Sequence, residues 1–183
     1  MPMQPIEHLV EEHRIIAKAV SVTQEFRTEI QSGAYIRPKR YWMLIDFWST
    51  FADIVHHGKE EQVLFPAIEQ QGGTSEFGDT IDQLVAEHMQ LLGYISDLRR
   101  YAKPAFSGEE AARDKVIKCL DEYVKLTTPH LQLEDTELFP AAATILSEKE
   151  MARVAKEFKA MDTRTRPQVQ SYYKTLVEKL MEK

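Results

Sequence analysis

The chain has 183 residues, 43% of them hydrophobic and 28% charged, and its 23 Lys and Arg against 29 Asp and Glu give a formal charge of −6. That length suits one domain with at most a short extension, and an acidic chain with no basic cluster lacks the cations that nucleic-acid binding needs. Apolar runs are broken by charge well before the roughly 18 residues of a membrane span, and the lone Cys119 excludes a disulfide framework or a Cys-rich zinc site.

Seven glycines and eight prolines are few for this length, so long helices are expected rather than many short strands. The periodicity predicts a first helix from about Pro5 to Ile30, ended by Ser32-Gly33. Pro38 suits a first helical turn and opens a second helix, which continues to Phe65-Pro66 or slightly beyond. After Gln71-Gly-Gly-Thr-Ser comes a third, from about Asp79 to Ala102, stopping before Pro104. The fourth runs from about Glu109 to Ala143, with Pro129 expected to kink or bulge it. Ser147-Glu-Lys-Glu150 is a capping box for a short fifth helix to about Lys159, and a last helix has Pro167 in its first turn. Short connections make neighbours antiparallel, so the expected fold is all-α: an up-down-up-down four-helix bundle over residues 1–146. Residues 147–183 form a helical C-terminal extension, packed on the bundle or at a dimer contact, in a monomer or homodimer. The start, Met1-Pro-Met-Gln-Pro, has neither a basic end nor an apolar signal segment, so a cytoplasmic location is expected.

The chain also repeats itself. Leu9-Val-Glu-Glu-His13 matches Leu84-Val-Ala-Glu-His88, and His56-x-x-x-Glu60-x-x-x-Leu-Phe-Pro66 matches His130-x-x-x-Glu134-x-x-x-Leu-Phe-Pro140. Each half is a helical hairpin with one His on its first helix and His-x-x-x-Glu on its second. By itself a His-x-x-x-Glu pair is weak evidence, because positions four apart share a helix face and can form an exposed contact. The faces distinguish them. His13 lies on a stripe with Ile6, Leu9, Ile16, Ala17 and Val20, and His88 on one with Ile81, Leu84, Val85, Leu91, Leu92 and Ile95. His56 and Glu60 share a stripe with Ile45, Ala52 and Val63, and His130 and Glu134 with Cys119, Tyr123, Leu126, Leu138 and Ala141. His8 aligns with Glu11, Glu12 and Ile15, a mostly solvated face that suits a surface histidine.

A single His on an apolar face is usually a hydrogen-bonded core residue. Four at repeat-related positions, with two carboxylates, are different. Each buried Glu costs several kcal/mol without a compensating charge. Two metal ions would answer all six groups at once, with two His on each ion and the two carboxylates bridging. Iron or manganese suits this mixture of imidazole and carboxylate, and zinc accepts the same donors.

These motifs resemble the hemerythrin-like (HHE cation-binding) family, over residues 5 to about 145. The resemblance implies a four-helix bundle holding a carboxylate-bridged, non-haem di-iron centre. His13, His56, His88 and His130 would be terminal ligands, with Glu60 and Glu134 as the bridges. Oxygen-carrying hemerythrins have a further His four residues after that on the third helix, where this chain has Leu92. They also use a later acidic position on the fourth helix, matched here by Asp135. Open positions would then remain on both metals, which puts dedicated oxygen carriage in question. The expected ligand is a small diatomic molecule or peroxide: oxygen, peroxide or nitric oxide. The protein would be a sensor, a scavenger or a modest oxidoreductase, with an iron-sensing or iron-donating module as the alternative.

His57 is a candidate fifth histidine. It follows a ligand position, but an α-helical step of about 100° aligns it with Asp46, Thr50 and Asp53, leaving it between a ligand and a surface or ligand-orienting role. Glu12, Glu61, Glu87 and Asp135 are expected to orient ligands or face solvent. Tyr123 is a core tyrosine or a partner of a bridging Glu, and each Leu-Phe-Pro is the packed end of a helix. A ferritin-like di-iron oxidase is a weaker third possibility, because its Glu-x-x-His spacing precedes no histidine here, and a zincin is unsupported, because there is no His-Glu-x-x-His.

Overall fold

A computed structural model of the chain describes residues 4–35 and 37–182. Helix α1 spans Pro5–Gln31, its N-terminus closed by Glu7, whose carboxylate accepts the Gln4 N–H at 3.2 Å. The second helix, α2, covers residues 38–73, and α3 covers Thr74–Phe106. Helix α4 covers residues 110–145, α5 Glu148–Thr165 and α6 Val169–Met181. Among the described residues there is no strand, and no helix is long and apolar enough to cross a membrane.

Neighbouring helices run antiparallel. Arg40 meets Glu29 and Trp48 donates to Thr23 at 3.1 Å between α2 and α1, while the Tyr41 hydroxyl donates to the Leu98 carbonyl at 3.0 Å between α2 and α3. Between α4 and α1, Arg27 meets Asp121 and His13 meets Asp135. Both C-terminal helices lie on this bundle. Val154 and Phe158 of α5 join one apolar cluster, with Leu9, Leu64, Phe65, Leu84 and Phe139. Tyr173 and Val177 of α6 join the other, with Phe26, Tyr41, Trp48 and Leu120. The histidine layer separates these two clusters.

Several helix ends differ from expectation. A kink at Gly72 (φ 89°), near the end of α2, turns the chain directly into α3, which begins five residues early. The next residue needs glycine for another reason: a Cβ on Gly73 would stand 2.5 Å from Ile68 Cγ2 and 2.9 Å from its carbonyl oxygen. Pro104 sits inside the last turn of α3 instead of beyond it, and Pro129 is accommodated within the α-helical stretch Glu110–Leu133. Pro167 precedes α6, whose N-cap Gln168 takes left-handed angles (φ 56°). Leu92, placed on the inner stripe of α3, is 48% exposed, because the buried stripe follows Leu84, His88, Leu91, Ile95 and Leu98.

The largest departure is in helix type. Phe47–His57 and Glu60–Leu64 of α2 are π-helical, as is Glu134–Leu138 of α4. In both repeats the widened turn starts at the inward Glu and ends just before Phe-Pro. Proline has no N–H for the carbonyl four residues back, and its ring crowds that carbonyl. A wider turn relieves the crowding, and the Phe65 and Phe139 N–H groups reach Glu60 and Glu134 carbonyls instead.

Candidate metal centre

The four helices bring His13, His56, His88 and His130 into one buried layer with Glu60 and Glu134. The imidazoles form two pairs. His13 Nε2 faces His56 Nε2 at 2.9 Å, and His88 Nε2 faces His130 Nε2 at 3.1 Å. Each carboxylate lies between the pairs. Glu60 sets one oxygen 3.4 Å from His56 Nε2 and the other 3.7 Å from His88 Nε2. Glu134 Oε2 lies 3.3 Å from His13 Nε2 and 3.4 Å from His130 Nε2.

Every one of these histidines donates its Nδ1–H to a carboxylate on the adjacent helix. His13 donates to Asp135 at 2.8 Å, His56 to Glu12 at 3.0 Å, His88 to Glu61 at 2.7 Å and His130 to Glu87 at 2.7 Å. This cycle around the bundle fixes all four rings with Nε2 turned inward. The Leu-Phe-Pro segments contribute here too: Phe139 stacks on His13 (centroids 5.1 Å apart) and Phe65 on His88 (6.3 Å).

His57 is buried, contrary to the α-helical reading. In a π-helical stretch each residue advances less around the axis, and by residue 57 the lag has carried the ring inward. It stacks on His88 with centroids 3.8 Å apart, and its nitrogen falls within metal-ligand spacing of His88 and His130. Its Nδ1 has no hydrogen-bond partner among the described residues. Tyr123 packs on Trp48 (4.5 Å) and bonds to neither Glu, and Cys119 is a buried free thiol. His8, expected at the surface, is only partly exposed and lies 3.2 Å from Asp162 of α5.

The electrostatics are unbalanced. Burial, then repulsion from Glu134 and Glu12, pushes the Glu60 pKa well above the ordinary carboxylate range. Burial would also raise Glu134, but His130 and His13 outweigh it and hold that carboxylate charged. Burial would lower His13, yet its hydrogen bond to Asp135 and the nearby charge of Glu134 lift it to about 9, while burial depresses His56 to about 4 against the pull of Glu12. All four oxygens of Glu60 and Glu134 are buried without a hydrogen-bond partner among the described residues.

Metal ions fit this donor set. Buried carboxylate oxygens demand a partner, and a cation between them and the imidazoles supplies one. Two nitrogens bound to one first-row ion at about 2.1 Å and at right angles lie about 3 Å apart, close to both Nε2 separations. His13, His56, Glu60 and Glu134 converge with ligand spacing on one side, and His57, His88 and His130 on the other.

An all-helical bundle closed around such a layer is the architecture of a cation-binding four-helix protein. The comparison with known families makes this specific: residues 4–142 match the Hemerythrin HHE cation binding domain, and residues 79–182 match it again. The chain belongs to that family. The second match starts near the second hairpin, as the internal repeat allows. Uncharacterized proteins of Mycobacterium tuberculosis and Mycobacterium bovis are each 23% identical to it over 158 residues. The alignment covers 86% of this chain and 61% of those relatives, so the chain spans about three-fifths of their length. No solved structure matches the chain significantly.

Proposed function

We propose that the chain holds two iron ions and handles oxygen, peroxide or nitric oxide at them. The observation that carries this reading is the pair of facing Nε2 dyads joined by two buried, unpartnered carboxylates. His13 and His56 would hold one ion and His88 and His130 the other, with Glu60 and Glu134 shared and His57 adding a fifth imidazole on the second side. Manganese or zinc would fit the same donors.

Iron bound there supplies the redox chemistry and the affinity for the small molecule. The protein supplies the rest. The four Nδ1–H donors fix ring orientation and strengthen each imidazole as a ligand. Apolar clusters on either side of the layer exclude water and admit a small uncharged molecule more readily than an organic substrate. A groove of about 740 Å³ between α1 and α4 includes Val10, His13, Ala17, Leu131 and Asp135 in its wall, and provides the route in. Narrowing it with Ala17→Phe should slow azide association with the iron-loaded protein several-fold and leave iron content unchanged, as read by stopped-flow absorbance.

The direct test is iron content and absorption spectrum after aerobic and anaerobic purification, followed by peroxide and nitric oxide additions. Two irons per chain, near-ultraviolet charge-transfer bands and a spectral response to the added molecule are expected. Glu60→Ala and Glu134→Ala should both lose iron. A colourless, iron-free bundle that cannot be loaded would sink the proposal. Tight loading without any response would instead favour an iron-sensing or iron-donating module.

A further inference from the structure

The two halves of the repeat match in their inward ligands but not in what stands behind them. Glu12 and Glu87 occupy equivalent positions, and each accepts the Nδ1–H of the His on the neighbouring helix. Glu87 remains 16% exposed and takes its other bond from Gln83 at 2.8 Å. Glu12 is 0% exposed, and its second oxygen meets the ammonium of Lys59, itself 0% exposed. The residue equivalent to Lys59 in the second half is Leu133. A fully buried lysine is rare, and removing its charge from water costs several kcal/mol unless it is well paired.

The pairing comes from the C-terminal helices. Asp162 of α5 sits 2.6 Å from Lys59 Nζ, and Gln170 of α6 donates to Glu12 at 3.3 Å. His8 Nε2 lies 3.0 Å from Lys59 Nζ. His8, Glu12 and Asp162 converge with the spacing of a metal site, and the chain's own Lys59 places its ammonium among them. The carboxylates behind His13 and His88, Asp135 and Glu61, are 41% and 40% exposed and reach solvent instead.

We propose that Lys59 is a positioning residue for His56. Clamped by Asp162, it holds Glu12 in place, and Glu12 keeps the His56 ring with Nδ1 as donor and Nε2 turned to the centre. The His13/His56 side therefore depends on the C-terminal helices, whereas the His88/His130 side does not. The consequence for metal affinity rests on the proposed function; the consequence for the ring does not.

Nitrogen-15 NMR of the histidine rings in the metal-free full chain tests the ring directly. The wild type should show His56 as the Nδ1–H tautomer. Lys59→Met should displace that signal and leave His130 unchanged, and Lys59→Arg should restore it. Asp162→Asn, at a half-buried site, gives the same reading more mildly if Lys59→Met does not fold. An unmoved His56 signal, or equal movement of His56 and His130, would overturn the proposal. An anaerobic ferrous titration then separates the two claims. With two equivalents bound by the wild type, Lys59→Met should weaken one about 10- to 100-fold and spare the other. Equal weakening of both would overturn the one-sided role of Lys59. A wild type that binds no iron would overturn the iron reading, and the NMR result would still decide the role of Lys59.

Discussion

Loading the metal-free protein with ferrous iron should raise its unfolding midpoint by about 8–16 °C for each ion bound and offset the decline of its stability above pH 6.5. An ion that binds only the folded chain stabilises it by about 4 kcal/mol at a thousand-fold excess over Kd, and a domain of this size gains about 2–4 °C per kcal/mol. The pH effect follows from the protons that stand in for the ions. His13, raised to about 9, favours its charged form in the fold. Its contribution is therefore complete below the unfolded value of 6.5 and is lost as pH rises through about 9. Glu60 acts in the same direction from lower pH: its raised pKa favours the protonated carboxyl, so stability falls as pH rises above the unfolded 4.5. His56, lowered to about 4, matters only below pH 6.5. His8 is also raised to about 9, but it is not a proposed ligand and contributes to both forms. Metal-free stability should thus decline between pH 6.5 and 9. Ligands must shed protons to bind, so the stabilisation by iron should grow over the same interval. Anaerobic melts at pH 6.5, 7.5 and 8.5, with and without iron, decide it. Parallel slopes would mean that His13 and Glu60 do not exchange protons for metal.

The inward histidines and glutamates were legible because the repeat supplies each motif twice and an interior stripe needs only local periodicity. His13, His56, His88 and His130 all lie on stripes that survive any small error in helix boundaries. His57 was not legible, since its direction depends on the ten preceding residues of wide helix, and the 100° step fails cumulatively there. The Phe-Pro after each Glu held a usable signal: a proline within a helix distorts the turn before it, and in both halves that turn carries the inward Glu. The carboxylates behind the rings were legible only as a group. Which acid serves which histidine depends on helix pairing across the bundle, as with Asp135 of α4 under His13 of α1. Lys59 reads as one charge among many in His-His-Gly-Lys-Glu-Glu. Its burial is created by Asp162 and Gln170, more than a hundred residues away.

Leucine at position 60 and leucine at position 134 should have opposite effects on the metal-free protein, although both should abolish iron binding. Glu60 is fully buried, its two oxygens have no hydrogen-bond partner among the described residues, and its environment favours the uncharged form. An unsatisfied buried polar group costs about 1–3 kcal/mol, and replacing such a group by an apolar side chain of similar volume often recovers that cost. Glu60→Leu should therefore raise the midpoint of the metal-free protein by about 2–12 °C at pH 7. Glu134 is equally buried but charged, and it lies 3.3 Å from the His13 ring that its charge helps to keep protonated. Removing it leaves a buried imidazolium with only Asp135, and breaking a buried pair costs about 3–5 kcal/mol. Glu134→Leu should lower the midpoint by about 6–20 °C under the same conditions. Thermal melts of the two metal-free variants beside the wild type read the difference. If both leucines stabilise the chain, the two carboxylates are electrostatically equivalent and His13 does not hold a proton at neutral pH. If both destabilise it, packing against the glutamate side chains outweighs the cost of burying Glu60. Opposite signs require one neutral and one charged carboxyl facing each other across the layer, the asymmetry that a pair of bound cations would erase.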